Sequence, residues 1–182
     1  MVLCGIDEAG RGPLAGPLVV AGVVFTKRVY KLDDSKKLSQ KQREKLFERI
    51  MQSARYEIVI IDNDEIDEWG ISACIAQALR TIKEEIKAER YLFDGNTNFG
   101  VAGIETRIKA DESVKEVMAA SILAKVTRDR LMCEYDRLYP EYGFCRHKGY
   151  GTKEHIEAIR RYGMCPIHRK SFRPKALQPT LF

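Results

Sequence analysis

Val2-Leu3-Cys4-Gly5-Ile6-Asp7-Glu8 and, after a connection rich in glycine and proline, Leu18-Val19-Val20-Ala21-Gly22-Val23-Val24-Phe25 decide the fold. The second run is continuously apolar and rich in β-branched residues, which reads as a strand buried on both faces. The first run delivers two adjacent carboxylates. Joined across a short connection, the two runs predict an antiparallel pair. Neighbouring side chains on a strand point to opposite faces, so Asp7 and Glu8 reach one site only from a strand end or a bulge. Behind them, Ala9-Gly10-Arg11-Gly12-Pro13 offers backbone that a ligand can approach closely. Arg11 adds a planar fork of donors suited to phosphate. Acids for a cation, with bare amides and a guanidinium for a phosphate, point to metal-dependent chemistry on a phosphodiester.

Outward from this pair, strand and helix patterns interleave. Ser39-Gln40-Lys41-Gln42 has the form of a capping box, and Leu46, Phe47, Ile50 and Met51 give the helix it opens an apolar stripe. Tyr56–Ile61 reads as a strand. One helix is expected over about 65–87, with Ile71, Ile75, Ala78, Leu79 and Ile82 inward. Tyr91-Leu92-Phe93 is a short strand ending at Asp94-Gly95-Asn96, and Ile104–Ile108 is another leading to Lys109-Ala110-Asp111. Ser113-Val114-Lys115-Glu116 is a second capping-box pattern opening a long helix toward Tyr135, on which Lys125 and Arg128 are expected to be exposed. A loop, Phe144 to Gly151, precedes a helix near Thr152–Tyr162; little regular structure is expected after Gly163. The class is α/β with a mixed central sheet flanked by helices.

The chain has 182 residues, 31% charged and 45% hydrophobic, ordinary proportions for a soluble domain. No apolar stretch approaches the roughly 20 residues of a membrane helix, and without a basic region followed by an apolar core near Met1 no secretion is expected. Five scattered cysteines form no Cys-x-x-Cys pair, so neither a disulfide framework nor a thiol redox motif is indicated, and a cytoplasmic location fits. Cys145-Arg146-His147 and Cys165-Pro166-Ile167-His168 lack finger spacing, which argues against zinc. The net charge of +5 is uneven. Residues 146–182 hold nine basic and two acidic residues, leaving 22 basic and 24 acidic in the remainder. A basic C-terminal part suits a polyanion.

Asp7, Glu8, Asp94 and Asp111 share a setting at or just beyond predicted strands, where sites gather in open α/β sheets. Singly, each has an ordinary reading: a strand end for Asp7-Glu8, a turn for Asp94-Gly95, a helix cap for Asp111. Together beside a Gly-Arg-Gly loop they suit Mg²⁺, which favours oxygen ligands. Two such ions stabilise both oxygens of an in-line displacement.

These residues resemble those of ribonuclease HII, the type 2 branch of the ribonucleases H, over roughly Gly5 to Pro174. The motifs carrying the resemblance are Gly5-Ile6-Asp7-Glu8-Ala9-Gly10-Arg11-Gly12-Pro13-Leu14-Ala15-Gly16-Pro17, Asp34-Ser35-Lys36-Lys37-Leu38-Ser39, Asp94-Gly95-Asn96, Lys109-Ala110-Asp111, Ala119–Asp129, His147-Lys148-Gly149-Tyr150-Gly151-Thr152 and His168-Arg169-Lys170-Ser171-Phe172. Met118 and Phe144-Cys145-Arg146 depart from the usual pattern without touching the acids.

The resemblance implies a ribonuclease H-like fold in one catalytic domain over 1–174, with a basic, substrate-binding helical part at about 144–174 and a flexible tail over 175–182. It implies a monomeric endonuclease, dependent on Mg²⁺ or Mn²⁺ and using two ions. Such an enzyme cuts RNA paired with DNA, and 5′ of single ribonucleotides in duplex DNA, leaving 3′-hydroxyl and 5′-phosphate ends. Asp7, Glu8, Asp94 and Asp111 become the metal-binding catalytic carboxylates. Gly10, Arg11 and Gly12 become the loop that reads the 2′-hydroxyl, and Tyr150 the ring that packs on the next sugar and disfavours a second 2′-hydroxyl there. Lys36, Lys37, Lys148, Arg169 and Lys170 are candidates for phosphate contacts. The last residues, Gln178-Pro179-Thr180-Leu181-Phe182, resemble the Gln-x-x-Leu-Phe peptides by which bacterial replication proteins dock on the sliding clamp. A non-catalytic nucleic-acid-binding module, or a different metal-dependent DNA nuclease on the same scaffold, remain the alternatives. Substrates differing in one 2′-hydroxyl separate them.

Overall fold

In the computed structural model, residues 2–26 and 39–178 are described. Five strands form one sheet in the order β3-β2-β1-β4-β5. They are β1 (Leu3–Ala9), β2 (Leu18–Phe25), β3 (Ala54–Ile61), β4 (Arg90–Asp94) and β5 (Glu105–Arg107). The predicted hairpin is present: β1 and β2 pair antiparallel with Gly5 opposite Val23 and Ala9 opposite Val19. β3 continues antiparallel from β2. β4 joins β1 in parallel, and β5 joins β4 in parallel. The carboxyl ends of β1, β4 and β5 therefore lie along one rim of the sheet. Asp7 and Glu8 fall inside β1 rather than after it, because pairing with β2 continues through Ala9.

Helices cover both faces. α1 (Gln40–Ser53) begins at the expected capping box, in which Ser39 accepts from the Gln42 N–H and Gln42 reaches back to the Ser39 N–H. Leu46, Phe47 and Ile50 are buried and Met51 is not. α1 and α4 (Lys115–Leu138) cover one face, over Val19, Ala21 and Val23. The other face is covered by α2 (Asn63–Trp69) and α3 (Ile71–Glu85), over Cys4, Ile6, Val20 and Phe93. Ile75, Leu79 and Ile82 of α3 are wholly buried. At roughly 1.5–3 kcal/mol per buried aliphatic side chain, this stripe outweighs any cap.

The single helix expected over 65–87 is two, broken at Gly70 (φ 81°). The second capping box does not form: α4 starts at Lys115 with Val114 at its N-cap and no side-chain cap. A short 3₁₀ turn, Ala110–Glu112, supplies that entry, with the Val114 N–H donating to the Ala110 carbonyl. α4 lies unusually close to β1. A Cβ on Gly5 would sit 2.2 Å from the Glu116 carbonyl carbon and the Val117 nitrogen.

The C-terminal region holds α5 (Phe144–His147), where a loop was expected, and α6 (Lys153–Tyr162), capped by Thr152. After α6 the described residues hold one further regular element, a 3₁₀ turn at Lys175–Leu177. Cys133 of α4 and Cys145 of α5 form a single disulfide, a pairing that the cysteine spacing did not indicate. The contact joins two helices across a turn and carries no local sequence signature. Cys4, Cys74 and Cys165 are free and buried. Among the described residues, no helix is long and apolar enough to cross a membrane.

Candidate active site

Asp7, Asp94 and Asp111 come together at the carboxyl rim of the sheet, each offering an oxygen within 4.8 Å of the others. Asp7 points to the α4 face, where Ser121 hydrogen-bonds its carboxyl. Asp94 ends β4, and its Oδ1 accepts from the Ala110 N–H at 3.2 Å. Asp111 sits in the 3₁₀ turn, entered through Lys109 in a left-handed conformation (φ 58°). Glu8, one residue further along β1, stays outside this trio, although its charge still bears on Asp7. It is held nearby: its Oε1 is 3.4 Å from the Arg11 guanidinium, and its Oε2 is buried without a hydrogen-bond partner.

Burial and crowding set the electrostatics of these acids. Burial pushes Asp7 well above the ordinary carboxylate range, and the charge of Glu8 adds to the shift. Burial raises Glu8 to about 7, with Arg11 opposing and Asp94 reinforcing. Burial also raises Asp94, aided by its hydrogen bond with Asp111. Carboxylates crowded in this way resist ionisation until a positive charge joins them. The donor set is all oxygen, as Mg²⁺ or Mn²⁺ prefers.

A cleft of about 310 Å³ opens beside the acids. Glu8 and the Gly10-Arg11-Gly12 loop line one wall, Ser121 and Lys125 of α4 the floor, and Tyr150 the far side. Tyr150 is 45% exposed, so its ring faces the cleft from the surface. Arg11 is steadied by Phe99, whose ring centroid is 5.1 Å from the guanidinium carbon.

This geometry matches a known group. The ribonuclease HII family model matches residues 4–175. The chain belongs to the ribonuclease HII family. Ribonuclease HII of Sulfurovum sp. (strain NBC37-1) is 57% identical over 181 residues, which is 99% of this chain and 96% of that protein. Among solved structures, the RNase HII of Archaeoglobus fulgidus, in complex with PCNA, superposes with a TM-score of 0.82 at 28% identity, covering 100% of this chain and 98% of that one. Ribonuclease H2 from Pyrococcus horikoshii OT3 superposes with 0.80 at 30%, covering 94% of each. The ribonuclease H-like architecture expected from the motifs is therefore the observed one.

Two basic residues expected at substrate phosphates lie elsewhere in this ribonuclease HII chain. Arg169 is wholly buried, with its guanidinium spent on backbone carbonyls. Lys148 turns its ammonium to the Cys145 carbonyl (2.6 Å) and Cys133 Sγ (3.3 Å), and burial lowers its pKa. Arg128, expected on an exposed helix face, is 1% exposed. Lys125 stays half-buried at the cleft and pairs with Asp129. Lys36 and Lys37 lie outside the described residues, as does the peptide after Gln178.

Sequence reasoning missed Ser121, whose signal was a polar residue within the small, buried run of α4. It also missed the histidines as a set. Cys165 N–H donates to His168 Nδ1 at 2.8 Å, so His168 Nε2–H is left to donate to His155 Nε2 (3.0 Å) and His155 Nδ1–H to the Tyr150 carbonyl (2.9 Å). The His147 ring stacks on His155. Burial holds His155 down to about 4 and lowers His168. Through His155 this chain of rings holds the Tyr150 backbone from behind.

Proposed function

We propose that the protein is a metal-dependent endonuclease that hydrolyses the RNA strand of RNA/DNA hybrids and cuts 5′ of single ribonucleotides embedded in duplex DNA, leaving 3′-hydroxyl and 5′-phosphate ends. The observation that carries this reading is the trio of aspartates drawn from β1, β4 and the turn before α4, within 4.8 Å of one another beside a cleft walled by Gly10-Arg11-Gly12.

Asp7, Asp94 and Asp111, with Glu8 at their margin, would hold Mg²⁺ or Mn²⁺, two ions in all. The bound metal supplies Lewis acidity and a water of lowered pKa. The chain's own residues do the rest. Arg11 and Gly12 present backbone N–H groups and a guanidinium to the ribonucleotide; backbone donors at this loop sense a 2′-hydroxyl that deoxyribose lacks. Tyr150 packs its exposed ring on the following sugar, where a further 2′-hydroxyl clashes. Lys125 and the basic C-terminal part neutralise phosphates and fix register. Ser121 holds the Asp7 carboxyl in place.

The test is incubation of the purified protein with duplex DNA carrying one ribonucleotide, with and without Mg²⁺. Cleavage 5′ of the ribonucleotide only with metal is expected, and no cleavage of the all-deoxy duplex. Asp94→Asn should abolish turnover, by at least about 10³-fold, while duplex binding persists. Normal turnover by Asp94→Asn would remove the site assignment.

A partner contact belongs to the same proposal. Gln178 to Phe182 would dock on a sliding clamp, a reading supported by the Archaeoglobus fulgidus relative, solved with PCNA. A Leu-Phe pair at a polar terminus suits a partner pocket. Removing residues 178–182 should abolish clamp binding and leave cleavage of short duplexes intact; unchanged clamp affinity sinks this part.

A further inference from the structure

Two arginines lie beneath the Gly10–Pro17 loop, each with almost no solvent exposure. Arg169 comes from the C-terminal segment. Its Nε donates to the Gly16 carbonyl (2.9 Å), Nη1 to Arg11 (3.2 Å) and Nη2 to Gly10 (2.6 Å). Arg128 comes from α4. Its Nε donates to Pro17 (2.9 Å), Nη2 to Ala15 (3.1 Å) and Nη1 to the Lys148 carbonyl (2.9 Å). Six carbonyls are thus collected by two cations, and among the described residues no carboxylate lies within ion-pair distance of either. The loop is laced to the same segments by backbone bonds, Leu14 N–H to Gly149 and Gly16 N–H to Ile167. Gly10 leaves just enough room: a Cβ there would lie 2.1 Å from Arg128 Nε.

An unpaired buried charge is costly, and carbonyl dipoles from an irregular loop are a demanding way to satisfy one. The gain is orientation. With the Gly10 and Arg11 carbonyls turned inward, the N–H groups of Arg11 and Gly12 find no acceptor among the described residues. They are left for a ligand in the cleft. Arg128 also reaches across to the opposite wall through Lys148, and its guanidinium carbon lies 5.8 Å from the Tyr150 ring centroid.

We propose that Arg128 and Arg169 are positioning residues for ribonucleotide selection: their planar forks turn the loop's carbonyls inward and set its N–H donors, and the distance to Tyr150, for one nucleotide bearing a 2′-hydroxyl. This rests on the reading that the loop and Tyr150 recognise the ribonucleotide and its 3′ neighbour. The pair touches no substrate. It acts through the two walls it joins, and a lysine, lacking the fork, cannot replace either member.

The experiment compares the full-length wild type with Arg169→Lys, Arg169→Gln and Arg128→Lys. KM and kcat are measured on a single-ribonucleotide duplex, and the inhibition constant on the all-deoxy duplex of the same sequence. Each substitution should reduce selectivity, the ratio of that inhibition constant to KM, by about tenfold or more. KM for the ribonucleotide duplex should rise while affinity for the all-deoxy duplex holds. Lysine should rescue no better than glutamine. A folded Arg169→Lys or Arg128→Lys with wild-type selectivity overturns the inference, as does rescue by lysine alone, which would make charge the agent. If no variant folds, the pair serves stability only and the inference falls as well. A wild type that does not prefer the ribonucleotide duplex defeats the underlying functional reading instead.

Discussion

Asp7 and Glu8 are neighbours in sequence and the charge of Glu8 bears on Asp7, yet only Asp7 joins Asp94 and Asp111 in the trio. Glu8 lines the cleft beside Arg11. Burial and mutual repulsion favour the protonated forms of Asp7, Glu8 and Asp94. A divalent cation must then displace protons. Titration of Mn²⁺ at pH 7 in buffers of different ionisation enthalpy should show net proton release, and the release should shrink as pH rises past about 7, the value of Glu8. Binding heats independent of buffer would mean that the acids are already ionised. The acids were legible in the sequence because carboxylates beside strand ends are rare without use. Arg128 and Arg169 were not, because their partners are backbone carbonyls, which leave no residue type to read.

At the scale of elements, the site depends on how closely α4 lies on β1. That approach is fixed at Gly5, where a side chain would meet α4 backbone. Gly5→Ala should lower the unfolding free energy by about 1–3 kcal/mol, as overpacking does, and reduce activity beyond the loss of folded protein by shifting Ser121 against Asp7. Denaturant unfolding and specific activity check it; wild-type values for both would show that α4 shifts freely. The strands were read well from apolar runs, and α1 from a capping box that does form. The helices after β3 and before α4 were misread for local reasons. Gly70 interrupts an otherwise continuous apolar stripe. The 3₁₀ turn carrying Asp111 takes over the entry that Ser113 was expected to cap. That turn, not a side-chain cap, leads the chain into α4.

Across the whole molecule, segments remote in sequence converge on the loop after β1: His168 pairs with Ala15 through a backbone bridge, and Arg169 grips Gly10. No periodicity reports such contacts, so the mixed sheet was readable and the C-terminal clasp was not. Its buried histidines predict acid sensitivity. An unfolded imidazole titrates near 6.5, whereas His155 stays neutral down to about 4. Its contribution is therefore complete above about 6.5 and is lost as pH falls toward 4, worth about 3 kcal/mol. Glu8 works in the opposite direction between 4.5 and about 7, so the comparison must be with His155→Gln, which should lose less stability over that interval; an equal slope refutes it. The Cys133–Cys145 bond draws one more consequence from this region. It closes a 12-residue separation, a constraint worth about 3 kcal/mol in chain-entropy terms. A phosphine reductant should lower the melting temperature by roughly 5–10 °C; identical melts would show the bond to be idle. Two preparations that differ only in their thiol handling would then be two different molecules, and any rate quoted for either carries the surrounding redox poise as a hidden variable.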